Sequence, residues 1–188
     1  DLLLEWDFGR NTFSGTVIDP CRWWISEGIT QNDGLTITGN GSWGGYYMIE
    51  QGAMTRDKGM AFETRLKITS GNQMFGLHEG GSNTSYTGLV YGFYLNNGSL
   101  LIYEKGSNRG SVLPYSYDTW MWFKIELKEG SGARYYFKEE DSESAPWILV
   151  YDSINYNTTE LYRAFTPNSG TMTVSWLEDR YRGYAPVF

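Results

Sequence analysis

The sequence feature that most constrains the fold is a two-residue alternation of apolar and polar side chains, repeated in short runs along the chain. The run 60–69 alternates apolar residues such as Phe62 with charged residues such as Arg65, and the run 119–128 does the same. A period of two is the pattern of a strand with one packed face and one polar face. Only residues 157–165 have a pattern compatible with helix, for a turn or two at most. The alternation therefore predicts an all-β chain.

Glycine and asparagine residues separate these runs and indicate tight turns. The Asn97-Gly98 pair predicts a hairpin turn between the runs 89–95 and 100–103, because both residues adopt positive φ angles readily. We predict about ten to twelve strands, at the spacing typical of a sandwich or barrel. The clearest strand candidates are 34–39, 46–50, 60–69, 73–78, 89–95, 100–103, 119–128, 133–138, 147–152 and 171–177.

The composition limits the domain count and the classes of partner. The 188 residues suit a single domain, 1–188, and the formal charge of −7 argues against nucleic acid or an anionic membrane as a partner. The single cysteine, Cys21, excludes an internal disulfide framework and a multi-cysteine zinc site, and it is expected to be a buried or half-buried free thiol. The chain does not begin with Met, so we expect a mature or excised domain.

Several short motifs, in this order along the chain, resemble those of the concanavalin A-like lectin/glucanase superfamily. The motifs are Glu5–Phe8, Asn32–Ile37, Ala61–Ile68, Phe75–Leu77 and Tyr117–Ile125. The resemblance spans nearly the whole chain and is greatest to non-catalytic carbohydrate-binding modules. It implies a jelly-roll β-sandwich of two curved antiparallel sheets, with the sugar bound on a concave sheet. It also implies a secreted, monomeric domain of a larger multidomain protein, with a plant- or microbe-derived polysaccharide or oligosaccharide as its partner, of the β-glucan, xyloglucan or xylan type.

Aromatic residues make up 17% of the chain, more than one sandwich core ordinarily needs. Some of these rings are therefore expected on the surface, where they could stack on the C–H faces of pyranose rings. Trp43 is selected because it lies in the glycine-rich segment 39–45, which offers few side chains to bury it. Tyr47 and Tyr94 are selected as further stacking residues, although Tyr94 could exchange roles with Tyr91.

The residues expected to contact sugar hydroxyl groups are chosen by the strand face on which the alternation places them. Glu63, Arg65 and His78 fall on the polar sides of strands that are taken to be neighbours. Trp122 shares a strand face with Lys124, so it is expected outside the core. The resemblance to the superfamily implies that Trp120, at the start of this strand, packs in the core. The complete set of predicted sugar contacts is Trp43, Tyr47, Glu63, Arg65, His78, Tyr94 and Trp122.

The acidic segment Glu139–Glu143 formally fits the Glu-x-Asp-x-Glu motif of glucanases in this superfamily. In those enzymes the intervening residues are apolar, whereas here they are Glu140 and Ser142. We therefore interpret the segment as a solvated loop and the chain as a binding module without catalytic activity. The alternatives are a glycoside hydrolase or polysaccharide lyase of the same fold, and an adhesive domain whose aromatic residues bind protein.

The resemblance also implies that one structural Ca²⁺ could be bound. The predicted ligands are Asp7, Glu178 and Asp179, because pairing of the first and last strands would bring these carboxylates near one another. Zinc is not expected, since His78 is the only histidine and no second one exists to complete a ligand pair.

Overall fold

Two antiparallel sheets of eight strands each pack face to face. The structure, a computed structural model, describes residues 3–7, 13–54, 60–110, 113–139, 141–155 and 160–184, with the backbone alone for 3–7, 131 and 178–184. The first sheet, sheet A, has the spatial order β14 (Ile148–Asp152), β13 (Ser131–Lys138), β12 (Met121–Lys128), β6 (Met60–Ile68), β16 (Thr171–Tyr184), β4 (Leu35–Thr38) and β3 (Ile29–Gln31), and β1 (Leu3–Asp7) also pairs with β16.

The second sheet, sheet B, contains the remaining strands, and in the described part of the chain a short 3₁₀ turn, Tyr86–Gly88, precedes β8. Its spatial order is β10 (Ser107–Asn108), β9 (Ser99–Glu104), β8 (Leu89–Asn96), β7 (Asn72–His78), β15 (Tyr162–Ser169), β5 (Met48–Glu50) and β2 (Trp23–Ile25), and β11 (Leu113–Pro114) also pairs with β9.

The predicted all-β jelly roll is confirmed, and each predicted strand is present. Most strand ends differ by one or two residues, but the last strand continues to Tyr184, and sixteen strands are described where ten to twelve were predicted. The predicted hairpin turn is also present, with φ angles of 47° at Asn97 and 82° at Gly98. The helical expectation for 157–165 is wrong where the structure describes it, because β15 begins at Tyr162; residues 157–159 lie outside the described residues. In β15 the pairing with β7 and β5 outweighs the weak helical pattern.

The core lies between the inner faces of the two sheets and is largely aromatic. Phe75 of β7 stacks on Phe93 and Phe165 of its own sheet, with ring centroids at 5.5 and 6.1 Å. It meets Phe123 of sheet A edge-on at 5.0 Å. All four side chains are at most 1% exposed, and full burial of such a ring stabilises the fold by about 1.5–3 kcal/mol.

Two of the turns at which the chain crosses between the sheets pack against each other. Gly71 lies between β6 and β7, and Gly170 lies between β15 and β16, with φ angles of 84° and 75°. A Cβ atom on Gly71 would overlap the backbone of Ser169, and one on Gly170 would overlap the backbone of Ser70. Glycine is therefore required at both positions, for its positive φ and for the close approach of the two backbones.

Candidate functional site

The predicted sugar contacts are divided between the outer faces of the two sheets. Three of them lie on sheet A: Glu63, Arg65 and Trp122. Four lie on or over sheet B: Trp43, Tyr47, His78 and Tyr94. The expectation that Glu63 and Arg65 neighbour His78 is wrong, because the consecutive strands β6 and β7 belong to different sheets.

Trp122 lies on the outer face of sheet A, as the alternation predicts, but it is covered. Its ring meets Trp176 edge-on at 4.8 Å between centroids, and the ammonium group of Lys138 lies 4.2 Å from its centroid. Lys138 donates hydrogen bonds to the carbonyl oxygens of Ser142 and Ala145 at 2.8 and 3.3 Å. The segment after β13 thereby closes over this part of the sheet and leaves Trp122 only 5% exposed.

Glu63 is also engaged within sheet A. It forms an ion pair with Lys124 at 3.8 Å, and both side chains are buried. The ammonium group of Lys124 lies 4.4 Å from the ring centroid of Trp147 and 4.6 Å from that of Tyr136. The ion pair and the two cation–π contacts offset the cost of removing these charges from water.

Arg65 lies between Trp120 and Asp141. Its guanidinium carbon is 4.0 Å from the ring centroid of Trp120, which is half-buried on the outer face and not in the core as predicted. Nε and Nη2 of Arg65 donate to the two carboxylate oxygens of Asp141 at 2.6 and 2.5 Å. These bonds, with one from the indole N–H of Trp122 at 3.1 Å, lower the pKa of Asp141. The carboxylate is held in its ionised form and is poorly suited to act as a general acid.

The outer face of sheet B has a row of paired positions with large side chains at its two ends and small ones at its centre. In spatial order the row is Trp24, Ile49, Ala164, Gly76, Gly92 and Tyr103. The central positions form an apolar floor together with Met74 and Leu89 from the neighbouring rows. The side chains of Ile49, Met74, Leu89 and Ala164 are at most 2% exposed, so this floor is covered.

Four rings, the aromatic cluster, cover part of that floor: Trp43, Tyr86, Tyr94 and Tyr103. Trp43 lies 5.0 Å from Tyr86 and 5.7 Å from Tyr94 between centroids, and Tyr94 lies 5.1 Å from Tyr103. Burial raises the pKa of Tyr94, with smaller contributions from Tyr103 and Tyr86, so its hydroxyl stays protonated and can donate. The structure brings the predicted Trp43 and Tyr94 together, and the predicted Tyr47 packs on the same floor.

His78 lies on the outer face of sheet B but is fully buried, not exposed as parity suggested. Its Nδ1 accepts a hydrogen bond from the backbone N–H of Gly80 at 2.9 Å, so the proton of the neutral ring is on Nε2. Nε2 packs against Gly88. Desolvation lowers the pKa of His78 to about 4, so the ring is neutral at pH 7. His78 therefore supports the segment between β7 and β8 from below.

A pocket of about 260 Å³ opens beside this covered floor. It is lined by Trp24, Ile49, Glu50, Gln51, Gly80, Gly81 and Tyr162. The indole of Trp24 is 52% exposed, whereas Glu50 is buried and bound by both Arg163 and Arg22. Trp24 and Tyr162 are not among the sugar contacts predicted from the sequence. Strand alternation after the buried Trp23 is the signal that could have identified Trp24 as an outward ring.

The predicted calcium ligands fall where only the backbone is described. The first and last strands do pair, with Asp7 opposite Arg180, and Glu178 and Asp179 lie opposite Glu63 and Phe62. The side chains of the three carboxylates lie outside the described residues. Among the side chains that are described, no group of three or more His, Cys, Asp or Glu residues could hold a metal ion.

Two further expectations concern Cys21 and membrane spans. Cys21 is a free thiol, as predicted, but it is exposed and not buried. The reason is its place in an exposed turn after Pro20, where its backbone N–H bonds the Asp19 carboxylate at 2.9 Å. Within the described residues, no helix has the length and apolar character to cross a membrane.

Comparison with known proteins gives structural neighbours but no sequence relatives. No protein-family model and no curated protein sequence matches the chain. The exoplasmic/lumenal domain of VIP36, in a Ca²⁺- and Man2-bound form, is similar with a TM-score of 0.63 and 8% identity, over 88% of this chain and 83% of that one. Rv0315 of Mycobacterium tuberculosis, an immunostimulatory antigen and pseudo β-1,3-glucanase, has a TM-score of 0.60 and 12% identity, over 97% and 99%.

A third neighbour is a family 16 glycosyl hydrolase protein from Mycobacterium smegmatis, with a TM-score of 0.56 and 10% identity, over 92% of this chain and 99% of that one. At these identities the likeness concerns the fold. The two eight-stranded antiparallel sheets of the described residues, together with structural neighbours that match over most of their length, show that the chain has the jelly-roll fold of the concanavalin A-like lectin/glucanase superfamily.

Proposed function

We propose that this protein is a non-catalytic carbohydrate-binding module that binds a polysaccharide on the outer face of sheet B. The observation that carries the proposal is the half-exposed indole of Trp24 beside a pocket that also contains Tyr162 and Gln51. An aromatic ring offers an apolar surface to the C–H face of a pyranose, and polar groups around it bond the hydroxyls. The aromatic cluster, with the predicted residues Trp43 and Tyr94, forms the adjoining surface.

The pocket has polar groups suited to sugar hydroxyls. Nε2 of Gln51 donates to the carbonyl oxygen of Pro20 at 2.8 Å, which fixes the side-chain amide and leaves its oxygen as an acceptor. The hydroxyl of Tyr162 donates to Glu160 at 2.9 Å, and its own oxygen can accept a further hydrogen bond. Glu63, Arg65 and Trp122 are not part of this proposed site, because they lie on the opposite face of the sandwich.

The carboxylates described near the pocket favour binding over hydrolysis. Retaining glycosidases need two carboxyl groups about 5–5.5 Å apart, one of them able to donate a proton. Glu50 is buried against two arginines, Glu79 is paired with Lys105, and Glu160 accepts the hydroxyl of Tyr162, so each already has a partner within the protein. The complete burial of His78 gives no support to the lyase alternative. The hydrolase alternative stays open because of the family 16 neighbour.

Calcium binding by two of the predicted ligands, Asp7 and Glu178, is part of the proposal, because VIP36 is a Ca²⁺-bound neighbour. By strand register the third, Asp179, falls on the other face of β16, opposite the core residue Phe62. Carboxylate oxygens are suitable ligands for this ion, and binding to the native state alone would stabilise the fold. The test is the melting temperature in excess Ca²⁺ and in EDTA. Equal melting temperatures would argue against a structural calcium ion.

Affinity electrophoresis tests the proposed function directly. The protein is run in gels that contain β-1,3-glucan, xyloglucan, xylan, mannan or pectin, and at least one polymer is expected to retard it. Trp24→Ala should abolish the retardation, whereas Ile148→Ala should not. Both side chains are 52% exposed, and Ile148 lies on the edge of sheet A. Migration unchanged in every gel would refute the proposal, and release of reducing ends from a soluble polymer would favour the hydrolase.

A further inference from the structure

We infer that the site on sheet B takes the terminal units of a polysaccharide chain and not an internal stretch of it. The inference rests on the proposed function and specifies the part of the ligand that is recognised. Recognition of an internal stretch needs a groove open at both ends, whereas recognition of a terminus needs a pocket open at one. The described residues provide a pocket at the edge of sheet B that Tyr162, Gly80 and Gly81 bound on the side of the sheet centre.

The centre of sheet B is covered along the direction in which a groove would run. Beyond Ile49, which lines the pocket, the buried floor residues Ala164, Met74 and Leu89 come from β15, β7 and β8, three neighbouring strands. At a strand spacing of about 4.8 Å, this covered floor spans about 10 Å across the sheet. A sugar chain that crossed the sheet would have to displace whatever covers this floor.

Two loops meet over that floor and form what we call the loop bridge, made of Trp43, Gly44, Thr84, Ser85 and Tyr86. The hydroxyl of Thr84 donates to the carbonyl oxygen of Gly44 at 3.1 Å, and the rings of Trp43 and Tyr86 lie 5.0 Å apart. A Cβ atom built on Gly44 would lie 3.4 Å from Ser85, an ordinary van der Waals distance, so the two loops lie side by side. The hydrogen bond and the ring packing together hold the bridge closed.

The bridge is supported from below. Its second loop begins after His78, whose buried ring accepts the N–H of Gly80 and packs against Gly88 at the far end of the same loop. Asn83 Oδ1 also accepts the backbone N–H of Ser85 at 3.1 Å. These contacts fix both ends of the loop, so the bridge is a built feature of the sheet face.

The pocket lies at the foot of this bridge and faces the edge of the sheet. Gly80 and Gly81, both with φ of 75°, form the turn at the base of the second loop, and the ring of Tyr162 packs against Gly80. Trp24 stands on the opposite side, on β2, the last strand of sheet B in the described part of the chain. A chain end could enter past Trp24 and would stop against Tyr162 and the loop. The volume of about 260 Å³ is below the usual 300–1,000 Å³ of small-molecule pockets, which suits one or two sugar units.

Chain-length titrations test the inference. Linear β-1,3-gluco-, cello-, xylo- and manno-oligosaccharides of about two to seven units are titrated by calorimetry, and each parent polymer is used at two mean chain lengths. We expect affinity for the bound series to reach its maximum at about two units, the largest number that suits the pocket volume. The number of protein molecules bound per gram of polymer should rise in proportion to the number of chain ends.

The results of these titrations distinguish failure of terminal recognition from failure of the proposed function. Affinity that keeps rising to the longest oligosaccharide, with binding per gram independent of chain length, would overturn terminal recognition and leave the carbohydrate module standing. Failure of all four series, together with unchanged migration in every gel of the electrophoresis panel, would overturn both. Trp24→Ala should weaken binding of the short oligosaccharides by about thirtyfold, as expected for a residue at the centre of a contact, and Ile148→Ala should leave it unchanged. Unchanged affinity in Trp24→Ala would exclude this pocket as the site.

Discussion

Arg65 of β6 and Asp141 of the loop after β13 form a two-point ion pair, with hydrogen bonds of 2.6 and 2.5 Å. The pair fastens the acidic loop to the outer face of sheet A, where Asp141 also accepts the indole N–H of Trp122. An acidic segment that formally fits a catalytic motif thereby serves to hold its loop against the outer face of the sheet. This face is the one opposite the proposed sugar site.

Asp141→Ala is expected to leave carbohydrate binding unchanged. Because the carboxylate is 40% exposed, its loss should lower the free energy of unfolding by no more than about 1 kcal/mol. The pKa of Asp141 is lowered in the folded state, so its contribution is present above the unfolded pKa of about 4 and is lost as pH falls through the lower folded value. Urea unfolding at two pH values, with affinity electrophoresis, measures both effects. Loss of binding or of a measured hydrolysis in this variant would contradict the assignment.

Trp43→Ala and Trp122→Ala are expected to separate binding from stability. Trp43 is half-buried in the aromatic cluster beside the proposed site, so its removal should weaken polysaccharide binding and cost about 1–2 kcal/mol of stability. Trp122 is 5% exposed against Trp176, so its removal should cost about 3–5 kcal/mol and leave binding per folded molecule unchanged. Denaturant titrations and gel retardation of the two variants give the comparison. Loss of binding in Trp122→Ala, with binding retained in Trp43→Ala, would instead place the sugar site on sheet A.

His78 is expected to make the protein less stable in mild acid. The unfolded chain takes up a proton on this residue near pH 6.5, whereas burial holds the pKa of the folded residue at about 4. Stability should therefore fall as pH drops from about 6.5 and level off below about 4, by at most roughly 3 kcal/mol. Other charges near the ring are Lys105, which lowers its pKa, and Glu79, which is paired with Lys105.

The variant His78→Asn tests this assignment, because an amide oxygen could still accept the N–H of Gly80. His78 is the only histidine, so the change in melting temperature between about pH 7 and pH 4.5 should shrink in the variant. An identical pH profile in the two proteins would show that other groups cause the acid sensitivity.

Gly88→Ala is expected to disturb the loop over His78. A Cβ atom at this position would overlap Nε2 of the buried ring, and the backbone of the 3₁₀ turn would have to move, at a cost of about 1–3 kcal/mol. The matched control is Gly52→Ala, where a Cβ atom has nothing within 4 Å, and it should change stability by less than about 0.5 kcal/mol. Near-UV circular dichroism should show altered packing of Trp43 and Tyr86 in the first variant only. Equal stability of the two variants would contradict the packing described for His78.

The strands and their buried faces could be predicted from the sequence because alternation is a local property. Phe62 and Leu66 face the core and Glu63 and Arg65 face outward, as the period of two requires. The hairpin at Asn97-Gly98 is local in the same sense, since both residues accept positive φ angles. The helical expectation near Tyr162 failed because a short, weak pattern was outweighed by pairing with β7, a strand distant in sequence.

Alternation carries no information about which sheet a strand joins. The residues of β6 and β7 alternate in the same way, yet the chain crosses between the sheets at Gly71, so Glu63 and His78 lie on opposite faces of the molecule. Burial of outward residues is a second property that the pattern cannot give, because Trp122 of β12 is covered by the loop after β13, and His78 by the loop after its own strand. The sequence by itself determined an all-β sandwich with an aromatic core, through local periodicity and turn chemistry. Only the tertiary structure decided that Trp24, Tyr162 and the aromatic cluster share one face, because that depends on strand partners and loop packing between residues far apart in the chain.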